Sequence, residues 1–118
     1  MIVFPAFVVL SIANALANAF SAGCDFVRSE RVAVGMRSAG IDPQIMPLLG
    51  IPKAAAAVGL LVGIAVPPIG TAAAAGLVLF FLAALGVHVR ARDYSSSMGL
   101  AGGFLLLAAA TLALSVQI

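Results

Sequence analysis

The stretch LGIPKAAAAVGLLVGIAVPPIGTAAAAGLVLFFLAALGVHV, residues 49–89, decides the fold. Its residues are almost all apolar, and Lys53 is its one charged side chain. A helix that crosses a hydrocarbon core of about 30 Å needs about 20 such residues, so the stretch is too long for one crossing. The PPIG run at 67–70 interrupts it, because proline lacks an amide proton and glycine is flexible. We therefore predict two membrane-spanning helices, at about 49–66 and 71–89.

Two further apolar stretches flank this pair. They cover about residues 2–22 and 98–116, carry no charge, and are each long enough to cross a bilayer. The chain is 64% hydrophobic and 8% charged, whereas soluble domains carry about 25% charged residues. The sequence thus predicts an all-α integral membrane protein, with residues 1–118 forming a single domain built as a four-helix up-down-up-down bundle. No basic residue precedes the first helix, so we expect it to be retained rather than removed as a signal peptide.

The charged residues lie mainly in the predicted connections at about 23–48 and 90–97, with Lys53 just inside the second helix. Four spans place both connections on one side of the membrane. The six basic residues on that side are Arg28, Arg31, Arg37, Lys53, Arg90 and Arg92. Because loops rich in Lys and Arg stay in the cytoplasm, we predict a multi-pass protein of the cell (inner) membrane with both termini outside. Neither connection has the basic stripe with aromatic residues that nucleic-acid binding needs, so the expected partner is the lipid bilayer.

The first connection is predicted to be partly structured. Residues 25–38 can continue as a helix, in which Asp25 and Arg28 pair on one face. An Asp-Pro pair at 42–43 is typical of a helix start, with the aspartate as N-cap. Because further prolines lie nearby, this segment should stay short, and we expect an interfacial or shallow re-entrant turn over 43–51.

Glycines recur at a spacing of four in two of the spans. Gly59 and Gly63 form one pair, and Gly99 and Gly103 form another. Small residues let helices approach closely in lipid. We interpret both pairs as packing inside the bundle, and the alternative is a homo-oligomer or a contact within a larger membrane complex.

The first span carries a polar stripe. Its members at spacings of three and four share one helix face, and they are Ser11, Asn14, Asn18 and Ser21. Asparagine in lipid must find hydrogen-bond partners, so we expect the stripe to face the bundle interior. Two interpretations stay open, namely interhelical hydrogen bonds that hold the bundle together, or the polar lining of a pocket.

A polar layer is predicted at the cytoplasmic end of the bundle, where Asn18 of the stripe meets residues of the connections. The candidate ligand-binding residues of the stripe and the layer are Asn14, Asn18, Asp25, Lys53, His88, Arg90 and Asp93. Histidine is a residue type that often acts as an acid or base, although capping a helix end also explains His88. Extension toward headgroups also explains Lys53. One cysteine and one histidine provide no dithiol couple and no metal or haem site. We expect no intrinsic cofactor.

The LGIPK run at 49–53 and the HVRARD run at 88–93, with the glycines between them, resemble the DoxX-like family of membrane proteins. The resemblance is clearest over residues 49–93, and the general layout extends it to nearly the whole chain. It implies a four-helix inner-membrane protein of a family named for quinone-linked oxidation. Any site shared with that family would use Lys53, His88, Arg90 and Asp93. The chain departs from its relatives at Asp25, near the end of the first helix, where they often carry a basic residue.

Three functions fit these residues. The first is a small accessory protein of redox or quinone metabolism that binds a quinone or another lipophilic ligand. His88 would then hydrogen-bond a quinone carbonyl, with Lys53 or Arg90 stabilising negative charge. The second is a cofactor-free isomerase or cyclase acting on a lipid or isoprenoid, with Asp25, Asp93 or His88 as acid and base. The third is a structural subunit of a larger complex. A four-helix multidrug exporter would need an acidic residue within helix one, and the predicted helix has none.

Overall fold

A computed structural model of the chain describes residues 2–92 and 96–118. The helices it contains are α1 (Val3–Phe26), α2 (Glu30–Ser38), α3 (Met46–Ala65), α4 (Pro67–Arg90) and α5 (Ser96–Ser115), with a 3-10 turn at Pro43–Ile45. Within the described residues no β-strand occurs, and four helices are long and apolar enough to cross a membrane. The chain is therefore an all-α, multi-pass membrane protein, as predicted. The alternation of the spans, the inner membrane and the placement of the termini stay predictions.

The four long helices close into a ring. α1 packs against α3 and α5, and α4 packs against the same two helices. The buried core residues shared by these helices are Ala15, Ala57, Leu60, Ala74, Leu77, Phe81 and Ala108. Phe81 of α4 stacks on Phe104 of α5, with ring centroids 5.0 Å apart. Large apolar side chains such as Phe20 and Leu106 are exposed on the outside, as expected of a surface that faces lipid.

The break between α3 and α4 is shorter than predicted. Only Val66 separates the two helices, with an extended backbone at φ −127° and ψ 83°. α4 begins at Pro67 because proline suits the first helical position, where no amide proton is needed. The two helices touch at the corner, since a Cβ added to Gly63 would lie 2.3 Å from the Gly70 Cα. Gly59 likewise faces Ala73, so the first glycine pair packs inside the bundle, as predicted.

The second glycine pair does not pack inside the bundle. A Cβ added at Gly99 or Gly103 would meet nothing within 4 Å among the described residues. The prediction of internal packing is wrong for this pair, because a spacing of four marks a helix face without saying which way it points. The face of α5 that is buried carries Ala101, Ala108, Thr111 and Ser115 instead. A homo-oligomer seam at the glycine face stays a prediction.

The segment between α1 and α3 contains a separate helix rather than a continuation of α1. Arg28 adopts a left-handed backbone with φ 54°, which ends the helix. The predicted continuous helix over 25–38 is therefore wrong, and α2 begins only at Glu30. The predicted cap at Asp42 is confirmed, since its Oδ1 accepts a hydrogen bond from the Gln44 amide at 3.0 Å.

The turn expected over residues 43–51 is also wrong in its extent. It is limited to the 3-10 turn at Pro43–Ile45, and α3 is already helical from Met46. Pro47 lies in the first turn of α3, where its missing amide proton breaks no hydrogen bond. Proline at this position therefore starts a helix instead of preventing one.

Candidate functional site

A charged pair links α1 and α3 inside the bundle. The Nζ of Lys53 donates hydrogen bonds to Asp25 Oδ2 at 2.9 Å and to Ser21 Oγ at 3.0 Å. The side chains of Lys53 and Asp25 are only 11% and 2% exposed. The same Nζ lies 5.4 Å from the centroid of the Phe80 ring on α4, whose negative face attracts the cation. Three helices therefore meet at one ammonium group.

A glycine allows this pair to form. Gly50 lies one turn before Lys53, and a Cβ there would be 3.1 Å from Asp25 Cβ and 3.2 Å from the Ala22 carbonyl oxygen. Without a side chain at position 50, α3 approaches the last turn of α1 closely enough for the two charges to meet. The LGIPK run thus supplies both the contact and the cation.

The position of Asp25 corrects two predictions. Asp25 pairs with Lys53 rather than with Arg28, which forms no ion pair among the described residues. Asp25 also lies within α1, which runs to Phe26. α1 thus contains an acidic residue, contrary to the prediction, and the composition of this helix no longer excludes an exporter. The helix reaches further than predicted because a neutralised carboxylate can be accommodated in its last turn.

Burial makes the two charges dependent on each other. A lone Asp or Lys at the centre of a membrane-spanning helix costs about 2.5–3.5 kcal/mol on insertion scales. Pairing offsets this cost, but buried ion pairs add little net stability compared with apolar residues of the same volume. An ionisable pair inside a membrane span is therefore a candidate for function.

The polar stripe of α1 faces the interior, as predicted, with Ser11, Asn14 and Asn18 fully buried. The Nδ2 of Asn14 donates to Thr111 Oγ1 of α5 at 3.3 Å. The Nδ2 of Asn18 donates to Asn14 Oδ1 at 2.7 Å and to the Asn14 carbonyl oxygen at 2.9 Å. The stripe thus forms a hydrogen bond between α1 and α5 through Asn14.

Two buried atoms of the stripe remain unsatisfied. Asn18 Oδ1 and Ser11 Oγ have no hydrogen-bond partner in the described part of the chain. The orientation of the Asn18 amide follows from its surroundings, because both groups that its nitrogen contacts are acceptors and a flipped amide would face them with its oxygen. Leaving a buried acceptor unpaired costs about 1–3 kcal/mol. Asn18 Oδ1 is therefore a buried acceptor to which the described residues donate no hydrogen bond.

The remaining predicted site residues lie elsewhere. His88 is buried in the last turn of α4, eight residues and thus about 12 Å along the helix from Phe80. Arg90 ends α4 with an exposed side chain, and Asp93 falls outside the described residues. No cluster of three potential metal ligands occurs in the residues that the structure describes. The structure thus joins two pairs of the predicted residues directly, Asp25 with Lys53 and Asn14 with Asn18.

Sequence reasoning missed Phe80 and Thr111. Thr111 has a signal, because it lies four residues before Ser115 in the stretch 98–116, which is otherwise apolar. Phe80 has no such signal in the sequence. It contacts Lys53 because α3 packs on α4, and the Phe-Phe pair at 80–81 does not show which of its rings faces α3. The missed residues are therefore those whose roles depend on tertiary contacts.

An apolar groove runs beside the polar layer on the outside of α1 and α3. It has a volume of about 360 Å³, and small residues of both helices form much of its lining. Ala22 lies one turn before Asp25, and Ala54 directly follows Lys53. Both alanines line the groove. An elongated apolar molecule in this groove would lie next to the charged pair.

The model of the DoxX-like family matches residues 9–111. The chain belongs to the DoxX-like family. The match includes all seven candidate residues, from Asn14 to Asp93, and confirms the resemblance seen over 49–93. No curated protein and no solved structure matches this DoxX-like chain. Family membership therefore supports the membrane class and leaves the ligand to be inferred from the site.

The contact between Asn14 and Thr111 is expected to contribute about 0.6 kcal/mol to the stability of this DoxX-like protein, as interhelical hydrogen bonds in membranes do. A double-mutant cycle with Asn14→Ala and Thr111→Val measures it through unfolding in mixed micelles. The matched control cycle combines Asn14→Ala with Thr71→Val, because Thr71 bonds Ser115 instead. Equal coupling in both cycles would contradict a specific contact between α1 and α5.

Proposed function

We propose that this DoxX-like protein is a small membrane accessory of redox metabolism that binds a lipophilic molecule with a polar head, of the quinol and quinone class. The observation that carries the proposal is the fully buried Asn18 Oδ1, which accepts no hydrogen bond from the described residues. A buried acceptor without a donor needs an explanation in any native structure. A bound head group that donates a proton is the explanation we favour.

Lys53 supplies the complementary group. Its ammonium has three N–H donors, of which Ser21 and Asp25 occupy two. The third can bond to an oxygen of the head group. Asn18 and Ser21 lie about one turn apart on the same side of α1, so the free acceptor lies about one turn from the hydroxyl that contacts the ammonium of Lys53.

This arrangement distinguishes the two redox forms of a quinone. The quinol carries hydroxyl groups that can donate to Asn18 and also accept from Lys53. The oxidised quinone carries only acceptors and leaves Asn18 unsatisfied. The quinol is therefore expected to bind more tightly than the quinone with the same tail. The apolar groove between α1 and α3 would hold that tail.

The test is equilibrium dialysis of the purified protein in detergent, without oxygen, against a short-tailed quinol and its matching quinone. Asn18→Leu keeps the branched shape of the side chain, removes the acceptor, and is expected to weaken quinol binding about tenfold, with quinone binding unchanged. Gln117→Leu is the matched control, because Gln117 is exposed beyond α5. Equal affinities of the wild type for both redox forms would refute the proposal.

A second measurement separates this function from the structural alternative. Native mass spectrometry of protein extracted gently from its own membrane reports bound lipids and partner subunits together. A quinol or quinone bound in stoichiometric amount supports the proposal. If the His88→Ala variant no longer retains this molecule, its head group binds near the end of α4 instead. A chain retained only within a larger assembly, with no small molecule, favours a structural subunit.

A further inference from the structure

We infer that the segment between α1 and α3 forms a binding site for the headgroup of an anionic phospholipid. A cleft of about 390 Å³ lies between α2 and the 3-10 turn, with Arg28 and Arg37 in its lining. Glu30, Asp42 and Gln44 complete its polar wall. This inference is independent of the proposed quinol site, which lies inside the bundle.

The charges in the cleft are not equally available. Arg37 is paired with Glu30 at 3.1 Å, with both side chains more than half exposed. The carboxylate of Asp42 accepts from the Gln44 amide and keeps its negative charge, since it forms no ion pair with a described residue. Arg28 forms neither an ion pair nor a hydrogen bond through its side chain in the described residues. Its guanidinium is therefore the cation left for a ligand, and its planar set of donors matches a phosphate.

The cleft lies at the depth of lipid headgroups. α1 contains 24 residues and so is about 36 Å long, slightly longer than the hydrocarbon core. Arg28 lies two residues beyond the end of α1 and thus just outside the core. Val27 and Val34 are 77% and 53% exposed. Apolar and cationic side chains exposed together are typical of a segment that rests on a membrane surface.

The conformation of Arg28 follows from the way α1 ends. Its φ of 54° is in the left-handed region, which is common for the residue just after a helix. The Ser29 amide donates to the Cys24 carbonyl oxygen at 2.9 Å, and the Arg28 amide donates to the Asp25 carbonyl oxygen at 3.3 Å. Glycine adopts this conformation at lower cost than any residue with a Cβ, so the backbone at this position accepts glycine.

Native mass spectrometry of the purified protein with phosphatidylglycerol and phosphatidylethanolamine of identical acyl chains tests this site. The wild type is expected to retain phosphatidylglycerol preferentially. Arg28→Gly suits the backbone conformation, so the protein should stay folded, with an unchanged or higher midpoint of thermal unfolding. Its affinity for phosphatidylglycerol is expected to fall about fivefold.

Arg92→Gly is the matched control, because Arg92 has φ 55° and does not line the cleft. Its affinity for phosphatidylglycerol should equal that of the wild type. Equal retention of the two lipids, or an equal loss in the two glycine variants, would overturn the inference. If millimolar inorganic phosphate displaces phosphatidylglycerol, the ligand of this site is a free anion and not a lipid headgroup.

Discussion

Replacing Asp25 with alanine is expected to lower the free energy of unfolding of the bundle by about 3–5 kcal/mol. The substitution removes the carboxylate that lies 2.9 Å from Lys53 Nζ and leaves the ammonium buried. Among the described residues, the Ser21 hydroxyl and the Phe80 ring then remain to offset the charge. Neither compensates for a cation held inside a membrane span. Unfolding in mixed micelles, followed by helicity, measures the loss.

The double variant Asp25→Leu/Lys53→Met is expected to recover most of that stability. It removes both charges and replaces them with apolar side chains, which are often as stable as a buried ion pair or more so. Glu30→Ala is the matched control, since it breaks the exposed pair with Arg37 and should cost less than about 1 kcal/mol. A double variant as unstable as Asp25→Ala would contradict the view that the unpaired charge causes the loss.

The same double variant separates stability from binding. If the charged pair only holds α1 against α3, the refolded double variant binds a quinol as the wild type does. We expect weaker binding instead, because the third N–H donor of Lys53 is lost together with the charge. Dialysis at a temperature where both proteins are folded distinguishes the two outcomes.

The number of spans could be predicted from the sequence because it depends on quantities that are local along the chain. Apolar length, the Pro-Pro corner and the absence of charge outside two windows are all visible without a structure. The partner of Asp25 was not predictable in this way. Arg28 lies three residues after Asp25, so a continuous helix would place the two side chains on one face. The left-handed backbone at Arg28 ends the helix and removes its side chain from that face.

The candidate site was predictable in part for the same reason. Spacing placed Asn14 and Asn18 on the inner face of α1, and both are buried there. Spacing could not show that Asn18 Oδ1 has no donor among the described residues, because this depends on which residues of α3, α4 and α5 face it. The two glycine pairs illustrate the same limit. With identical spacing, the pair in α3 contacts α4 inside the bundle, whereas the pair in α5 contacts none of the described residues.

Gly63→Ala is expected to cost at least about 1–3 kcal/mol, because it overpacks the closest approach between two helices. Its new Cβ would lie 2.3 Å from the Gly70 Cα and 2.5 Å from the Gly70 nitrogen. Both are backbone atoms, so no side-chain rotation can relieve the contact. The corner at Val66 has a single residue in which to absorb the change, so α3 and α4 must separate along their length.

A series of three glycines distinguishes this mechanism from a general effect of adding a methyl group. A Cβ at Gly70 would lie 3.2 Å from the Gly63 Cα and 3.3 Å from Phe7 Cζ, so the expected cost of Gly70→Ala is smaller. A Cβ at Gly76 would meet nothing within 4 Å among the described residues. Gly76→Ala should therefore be neutral or stabilise by up to about 1 kcal/mol through helix propensity. Stabilities that fall from Gly76→Ala through Gly70→Ala to Gly63→Ala would establish the corner contact, and equal stabilities would mean that the helices do not touch there.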